Sequence, residues 1–489
     1  MHSFIQRLAA AFSVIALAAV LVSCGGGGGG GVETSSTGST GSVGILLTDG
    51  PTAEFDVINI TLREIRLLSD NGPVTIFSGS KTIDLLKMRS HSELFALTTD
   101  VASGEFEKIR LLVDKIELIK LEPDGNVAES HDVKLSGHGK IDLNPRGPFY
   151  VTAGETLLIQ IDIDAEKSLK LHESGNGKWH FRPVIFVDII GHRQDNRLVR
   201  LSGEAAEVDP ATDTLELCGT RVNQDWDGCI DVDAAQSSIF DTDGALTLDK
   251  IVKGDELTVI GFLRPAAAGS LHNERHGDDD DDDGYHEHDD DYEHHNLLME
   301  AVVIEVGAPG SFISLNGSAH SAPADAMAAF DYEIDPGQGF VTGQHIDVQL
   351  LPDTRIFSRK GQELDFSVIG VGTKATVDGV LMLSNMTPDT LNAALVILDV
   401  SATTQLTGEI GTLQATTLTL LTDGGDRCVT FDDDTDVFMV TLLDDGTLAT
   451  RINVADLESG QKIDVFGAEG TGGCFVAQSI IVVVDHSSP

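Results

Sequence analysis

A glycine-bounded segment of eight residues occurs three times in the sequence, and this repetition strongly limits the folds open to the chain. Each copy has a short strand pattern between its two glycines: Gly254–Gly261, Gly372–Gly379 and Gly460–Gly467. Counted from the first glycine, the copies lie 118 residues (254 to 372) and 88 residues (372 to 460) apart. Such intervals are too long for solenoid repeats and fit tandem small domains.

The residues around these segments also repeat. A hydrophobic–Phe pair precedes each segment: Ile239-Phe240, Ile356-Phe357 and Val437-Phe438. A glycine marks the first short strand of each repeat: Gly203, Gly317 and Gly408. An apolar strand closes each repeat: Ala301–Val306, Ala394–Val400 and Ile480–Val484. We therefore predict three small OB-like β-barrels over 198–307, 311–400 and 404–486, because closure removes exposed strand edges.

The residues before the repeats, 42–193, predict a different β unit. Within Thr156–Asp164, isoleucine and leucine alternate with Gln160, Asp162 and Asp164, which is the period of a half-buried strand. Similar strand patterns cover Val57–Leu68, Phe106–Leu121 and Trp179–Ile190. One helix is predicted over Leu85–Leu97, on which Leu85, Met88 and Phe95 would share a face. The chain is thus expected to be all-β, with an N-terminal antiparallel β-sandwich containing one helix.

Both units resemble known families. The segments SVGILLTDGPTAEFDVINITLREIRLL, GEFEKIRLLVDKIEL and IDIDAEKSLKL…WHFRPVIFVDI resemble the opening, middle and end of bacterial lipoprotein domains in the domain-of-unknown-function family numbered 4382. The three repeats resemble the domain-of-unknown-function family numbered 5666, which recurs in bacterial secreted proteins. The resemblance to the family numbered 4382 implies an envelope β-sandwich, and it brings no activity and no catalytic residues.

The N-terminus predicts a lipid anchor. Residues 1–23 carry Arg7 and an apolar stretch of signal-peptide length, too short to span a membrane. The end of that stretch, Leu21-Val22-Ser23-Cys24, resembles the bacterial lipobox, in which Cys24 is lipidated and becomes the mature N-terminus. The alternative is an ordinary secretory signal with a chance cysteine. Residues 24–41 are rich in Gly, Ser and Thr and predict a flexible tether.

The residue after the cysteine predicts the destination. Position 25 is Gly, not Asp, and by resemblance to lipoprotein sorting in Gram-negative bacteria this implies the outer membrane. We expect the domains to face the periplasm or the cell surface.

The charge balance excludes one class of partner. The chain has 78 Asp and Glu against 32 Lys and Arg, a formal net charge of −46. Nucleic-acid binders neutralise phosphates with clustered cations, and anionic lipid is bound through basic patches. We therefore expect no nucleic-acid partner, and contact with the membrane only through the lipid.

Four cysteines besides Cys24 indicate an oxidising compartment. An even number permits disulfides, with three pairings for four thiols. The favoured pairs are Cys218–Cys229, across a turn, and Cys428–Cys474, within the last repeat. Zinc ligation is the alternative, although no CxxC spacing supports it.

An insertion in the first repeat, residues 272–296, is the main candidate metal site. It contains six His, nine Asp, three Glu and one Arg, and its composition predicts disorder. Imidazole ligands suit Zn²⁺, Cu²⁺ and Ni²⁺, whereas carboxylates suit Ca²⁺ and Mn²⁺. The candidate ligands are His276, His286, His288, Asp289, His294 and His295. The alternative is a solvated loop that binds nothing.

A second acidic motif resembles part of a calcium loop. Asn223, Asp225, Asp227 and Asp231 alternate around Gly228, as oxygen ligands do in EF-hand loops. Ala234 stands where a bidentate Glu is expected. The alternative, a hairpin turn held by Cys218–Cys229, is favoured.

No catalytic motif is present, since HExxH, G-x-S-x-G and P-loop patterns are all missing. We expect a non-catalytic, lipid-anchored envelope protein that acts as a structural or interaction module and requires no cofactor. The alternative is a ligand-binding protein that takes divalent cations (Cu, Zn, Ni or Ca) through the loop or glycans through the sandwich. Glycan binding needs exposed aromatic side chains, and the only indoles are Trp179 and Trp226.

Overall fold

The structure is a computed structural model. It describes residues 40–50, 55–122, 125–133, 135–145, 147–164, 185–190, 197–219, 226, 228–266, 294–308, 310–336, 338, 340, 344–384, 387–399, 404–432, 435–443, 446–470 and 472–485. These residues are all-β: thirty strands, with helical geometry limited to short 3-10 turns. Among them, no helix is long and apolar enough to cross a membrane.

The N-terminal domain is a two-layered β-sandwich. Its eleven strands are β1 (Thr40–Gly50), β2 (Val57–Ser69), β3 (Gly72–Asp84), β4 (Ser92–Ala102), β5 (Gly104–Phe106), β6 (Lys108–Leu121), β7 (Val127–Asp132), β8 (Lys140–Asn144), β9 (Phe149–Val151), β10 (Thr156–Asp164) and β11 (Ile185–Ile190). One layer has the order β11-β10-β1-β4 and the other β8-β6-β2-β3, with β7 on β6. Period-two alternation places Ile45, Ile60, Leu111 and Ile161 in one core between the layers.

Two details of the sandwich differ from expectation. The first sheet is mixed, because β1 pairs with β10 in parallel. The predicted helix over 85–97 is wrong: only a 3-10 turn, Leu85–Met88, forms there, followed by β4. The apolar spacing that suggested a helix serves two elements, since Leu85 and Met88 are buried in the turn and Phe95 in the strand. The turn begins at Asp84, whose side chain accepts a hydrogen bond from the Leu86 N–H.

The remaining strands build three barrels. Barrel 1 contains β12 (Val199–Asp209), β13 (Thr214–Gly219), β14 (Gly228–Asp233), β15 (Ser238–Asp241), β16 (Gly244–Leu246), β17 (Glu256–Pro265) and β18 (His294–Val306). Barrel 2 contains β19 (Ile313–Ala319), β20 (Ala329–Ile334), β21 (His345–Ser358), β22 (Lys374–Ser384) and β23 (Thr387–Asp399). Barrel 3 contains β24 (Thr404–Leu413), β25 (Thr417–Thr422), β26 (Gly425–Thr430), β27 (Asp436–Leu443), β28 (Gly446–Ile452), β29 (Lys462–Glu469) and β30 (Phe475–Asp485).

All three barrels share one strand circuit. In barrel 2 the order is β19-β20-β21-β23-β22 and back to β19, with β21 and β23 parallel. Barrel 1 follows the same circuit through β12-β13-β14-β18-β17, and barrel 3 through β24-β25-β26-β30-β29. A closed circuit leaves no open edge within these five strands.

The repeated glycines stand where side chains do not fit. The first glycine of each eight-residue segment has a positive φ: 92° at Gly254, 84° at Gly372 and 88° at Gly460. The last glycine lies at a bulge against the closing strand, where an added Cβ would sit 2.1 Å from the Glu300 O at Gly261 and 2.1 Å from the Asn392 O at Gly379. The segment therefore recurs because the backbone geometry of the barrel requires glycine at both of its ends.

Strand addition joins two barrels to the sandwich. Barrel 1 extends the first sheet through a short parallel pairing of β12 with β4. Barrel 3 extends the second sheet, because β28 pairs in parallel with β8 from Thr447–Ile141 to Thr450–Asn144. Barrel 2 instead packs against barrel 1 through apolar side chains: Leu198, Phe240, Ile260 and Val303 against Phe357, Leu395 and Ile397.

Candidate functional site

A polar cleft of about 890 Å³ lies where the sandwich, barrel 1 and barrel 2 meet. We call it the interdomain cleft. Its sandwich wall comes from the start of β2, the 3-10 turn and the residues leading into β4: Phe55, Asp56, Val57, Asn59, Asp84, Leu86, Lys87, Arg89, His91 and Glu93. The opposite wall comes from barrel 2, with Ser314, Asn316, Asp335, Pro336, Gln338 and Lys374, and barrel 1 adds Arg200.

One ion pair spans the two walls. The Arg89 Nη2 donates to the Asp335 Oδ2 at 2.6 Å, and both side chains are largely shielded from solvent. The Arg359 Nε of barrel 2 donates to the Arg89 carbonyl O at 2.5 Å. These contacts attach barrel 2 directly to the residues that follow the 3-10 turn.

The barrel 2 wall is held by amide hydrogen bonds. The Asn316 N–H donates to the Gln338 Oε1 at 2.7 Å, and the Gln338 Nε2 donates back to the Asn316 O at 2.6 Å. The Thr376 hydroxyl donates to the Asn316 Oδ1 at 2.6 Å. The polar groups of this wall are therefore fixed in orientation by the barrel itself.

Arg200 lies where the sandwich, barrel 1 and barrel 2 meet. Its Nη2 donates to the Glu305 Oε2 of barrel 1 at 2.8 Å, and its Nη1 donates to the Asp378 Oδ2 of barrel 2 at 2.9 Å. Both carboxylates are buried, with side chains 1% and 2% exposed. Burial raises the pKa of Glu305 to about 7, against the lowering effect of the Arg200 charge, and Asp378 raises it further.

Two carboxyl groups that line the cleft have pKa values shifted in opposite directions. Burial raises the pKa of Asp84, although backbone N–H groups of Ile58 and Leu86 donate to it. The pKa of Glu93 is lowered, first by its hydrogen bond with His91 and further by the charges of His91, Lys81 and Arg200.

The cleft is less acidic than the protein as a whole. Four cationic side chains, Lys87, Arg89, Arg200 and Lys374, face four carboxylates, while the chain carries a net charge of −46. Arg89 and Arg200 are engaged in ion pairs. Lys87 and Lys374 have no salt-bridge partner within the described part of the chain. Each of these ammonium groups could therefore contact an anionic group in the cleft without displacing a protein carboxylate from a salt bridge.

Both expected disulfides are present. Cys218 is bonded to Cys229 across the β13–β14 hairpin, and Cys428 is bonded to Cys474 within barrel 3. Glu216 lies close to the first pair, but thiols in a disulfide are not metal ligands.

Most of the predicted metal ligands lie outside the described residues. This applies to Asn223, Asp225, Asp227, His276, His286, His288 and Asp289; Cys24, the predicted lipidation residue, also lies outside them. Asp231 lies on β14, paired with Glu216. The calcium and loop-metal hypotheses therefore stay predictions.

The predicted C-terminal limit of the disordered insertion, residue 296, is wrong. Residues 294–296 belong to β18, not to a disordered loop. His295 is 9% exposed, because the alternation that buries Leu297 and Met299 continues back to it. The Asn296 Nδ2 donates to the Gly154 O of the sandwich at 3.0 Å.

One described indole is also buried. Trp226 is 5% exposed and packs in the core of barrel 1, so it offers no open face to a sugar. Trp179 lies outside the described residues.

Sequence reasoning missed the interdomain cleft and a cluster of His320, Glu333 and His345 on barrel 2. Both combine residues from separate strands or modules, and no spacing along the chain connects them. The alternation of β20 and β21 does place Glu333 and His345 on outward faces, but their pairing follows only from the register.

No curated protein matches this sequence. The sandwich does match a family: residues 40–183 match the family described as Domain of unknown function (DUF4382).

Proposed function

We propose that the protein is a lipid-anchored, non-catalytic component of the bacterial cell envelope that acts as a structural or interaction module. The observation that carries this proposal is the way its modules are joined. Strand addition at β4–β12 and β8–β28 and the cross-module contacts of Arg89 and Arg200 connect all four modules. Such joints favour a scaffold that presents surfaces in fixed positions.

The N-terminal sequence supports the anchoring part of the proposal. The lipobox-like Leu21-Val22-Ser23-Cys24 and the Gly-, Ser- and Thr-rich tether would place the modules at a membrane surface. Gly25 supports the outer membrane as the destination. The resemblance of the three barrels to the family numbered 5666 agrees with export, as do the two disulfides.

Anchoring is tested by Cys24→Ala in the full chain. The expected result is loss of the acyl mass on the N-terminal peptide and release of the protein from the membrane fraction. Ser23→Ala is the matched control, because it keeps a small residue before the cysteine and should leave lipidation intact. Unlipidated wild-type protein that still sediments with membranes would overturn the proposal.

The cleft supports a second candidate function, binding of an anionic ligand such as an acidic sugar. Lys87 and Lys374 provide the charge, and the Asn316 side-chain amide, whose Oδ1 accepts from the Thr376 hydroxyl, provides an N–H donor of fixed orientation. Lys374→Glu should abolish binding of oligogalacturonate measured by calorimetry, whereas Lys360→Glu on the same barrel should not. Equal binding by both variants would exclude the cleft.

Divalent cation binding by the 272–296 insertion remains a further proposal. Deleting residues 272–293 should remove weak Cu²⁺ uptake without lowering the melting temperature. This deletion ends before β18 begins.

A further inference from the structure

Barrel 2 carries two imidazoles and a carboxylate that converge on one point of its surface. One ligand atom each from His320, Glu333 and His345 lies within 4.8 Å of the others. The two rings are edge-to-face, with centroids 4.9 Å apart. This cluster belongs neither to the interdomain cleft nor to the 272–296 insertion.

The barrel backbone positions all three side chains. Glu333, on β20, is the register partner of His345, the first residue of β21. His320 directly follows β19, and its N–H donates to the Asp331 O at 2.7 Å. The Asp331 N–H donates to the Ser321 hydroxyl at 2.9 Å, which further secures the turn that carries His320.

A fourth residue orients one of the imidazoles. The His345 Nδ1 lies 2.8 Å from the Asp331 Oδ1, so Nδ1 carries the proton and donates it to the carboxylate. The Nε2 lone pair of His345 is then left for another partner. Metal-binding histidines commonly have this contact, because the carboxylate fixes the tautomer and makes the imidazole a stronger ligand.

The local charge favours a cation. Glu333 lies on β20, as Asp331 does, and Asp347 lies on β21 as the register partner of Asp331. Both Glu333 and Asp347 face outward. Within the residues that the structure describes, Glu333 and Asp347 form no salt bridge, and the only charged partner of Asp331 is His345. Among the described residues, these three carboxylates thus form no ion pair with a lysine or arginine.

The distances fit a single ion after small side-chain rotations. Two ligand atoms on one tetrahedral Zn²⁺ lie roughly 3.3 Å apart, from ion–ligand bonds of about 2.0–2.2 Å. The cluster spans at most 4.8 Å, and the exposed side chain of His320 can close this gap by rotating while Asp331 keeps His345 in place. Three protein ligands would leave a fourth position for water or another ligand.

We propose that His320, Glu333 and His345 form a binding site for a divalent transition metal, with Asp331 as the positioning residue for His345. The nitrogen and carboxylate ligands suit Zn²⁺, Cu²⁺ and Ni²⁺ in preference to Ca²⁺ or Mg²⁺. Because imidazole must be deprotonated to bind the metal, protons compete with the ion at this site.

The test locates Zn²⁺ within the full chain. Purified protein is treated with diethyl pyrocarbonate, which modifies free imidazoles, with and without equimolar Zn²⁺, and modified peptides are mapped by mass spectrometry. The expected result is Zn²⁺ protection of His320 and His345. His131 is the control, because its Nε2 lies 3.3 Å from one carboxylate, Glu129, and it belongs to no three-ligand group among the described residues.

A variant of the positioning residue distinguishes loss of metal binding from loss of folding. Asp331→Asn keeps the size of the side chain and removes its charge, and it should weaken Zn²⁺ binding about 10- to 100-fold with an unchanged circular dichroism spectrum. Unchanged labelling of His320 and His345 in the presence of Zn²⁺ would overturn the proposal. Protection confined to the histidines of the 272–296 insertion would overturn it equally.

Discussion

The stability of the junction between barrels 1 and 2 should depend on the protonation of Glu305. This carboxyl is buried beside Asp378, and Arg200 is the cation between them. The Glu305 Oε1 and the Asp378 Oδ1 have no hydrogen-bond partner among the described residues. Replacing Glu305 with Gln removes the titrating group and nearly preserves its shape.

The expected size follows from the shift in pKa. The pKa of Glu305 is about 7 in the folded protein, against an ordinary value of 4.5. The folded state therefore holds the proton more tightly than the unfolded state, and its stabilising effect is complete below pH 4.5 and lost as pH rises through 7. At 1.36 kcal/mol per unit, wild type should lose about 2–3 kcal/mol between pH 5 and pH 8 through this group.

Trp226 provides the assay, because it lies in the core of barrel 1. In a Trp179→Phe background it is the only indole, and urea unfolding followed by its fluorescence reports on that barrel. The Glu305→Gln variant should gain stability relative to wild type as pH rises from 5 to 8. Glu300→Gln on the same strand is the control: its ion pair with Arg264 is 39% exposed on the glutamate side, so the effect should stay within about 1 kcal/mol.

Parallel pH profiles for wild type and Glu305→Gln would refute the reasoning. They would mean that the pKa of Glu305 is the same in the folded and unfolded states, so that burial does not raise it.

Two further predictions concern the barrels. Gly379→Ala would place a Cβ 2.1 Å from the Asn392 O and should cost about 1–3 kcal/mol, seen as a lower melting temperature in calorimetry, whereas Gly104→Ala meets nothing within 4 Å and should leave it unchanged. Removing Cys428–Cys474, with a sequence separation of 46, should cost about 4 kcal/mol, and removing Cys218–Cys229, with a separation of 11, about 3 kcal/mol. Urea unfolding of the double-alanine variants measures the difference, and a larger loss for the shorter loop would contradict the entropy argument.

The barrels could be predicted because their geometry demands particular residues. Gly254 and Gly261 stand at a left-handed turn and at a close backbone approach, and the same two demands recur in each repeat. Alternation also predicted which face of β10 enters the sandwich core, where Ile159 and Ile161 are buried. The prediction of a half-buried strand is wrong, because Gln160 and Asp164 on the other face are only 7% and 6% exposed.

The features that the sequence did not predict depend on which strands become neighbours in the sheets. The apolar spacing of Leu85, Met88 and Phe95 fits a helix as well as a turn followed by a strand, and only pairing of β4 with β1 decides between them. The cluster of His320, Glu333 and His345 likewise needs the register of β20 and β21. Periodicity along one strand shows which side chains face the core, but it does not identify the strand that pairs with it.

The pairing of β28 with β8 has a consequence for biosynthesis. The Asn144–Thr450 hydrogen bond joins residues 306 positions apart, so β8 has no partner on that side until barrel 3 emerges. During synthesis the sandwich would expose an unpaired strand edge until the last barrel is made, and such edges promote association between chains. Completion of the last barrel would therefore also protect the first domain, and chains truncated before residue 404 should aggregate even though the sandwich itself is intact.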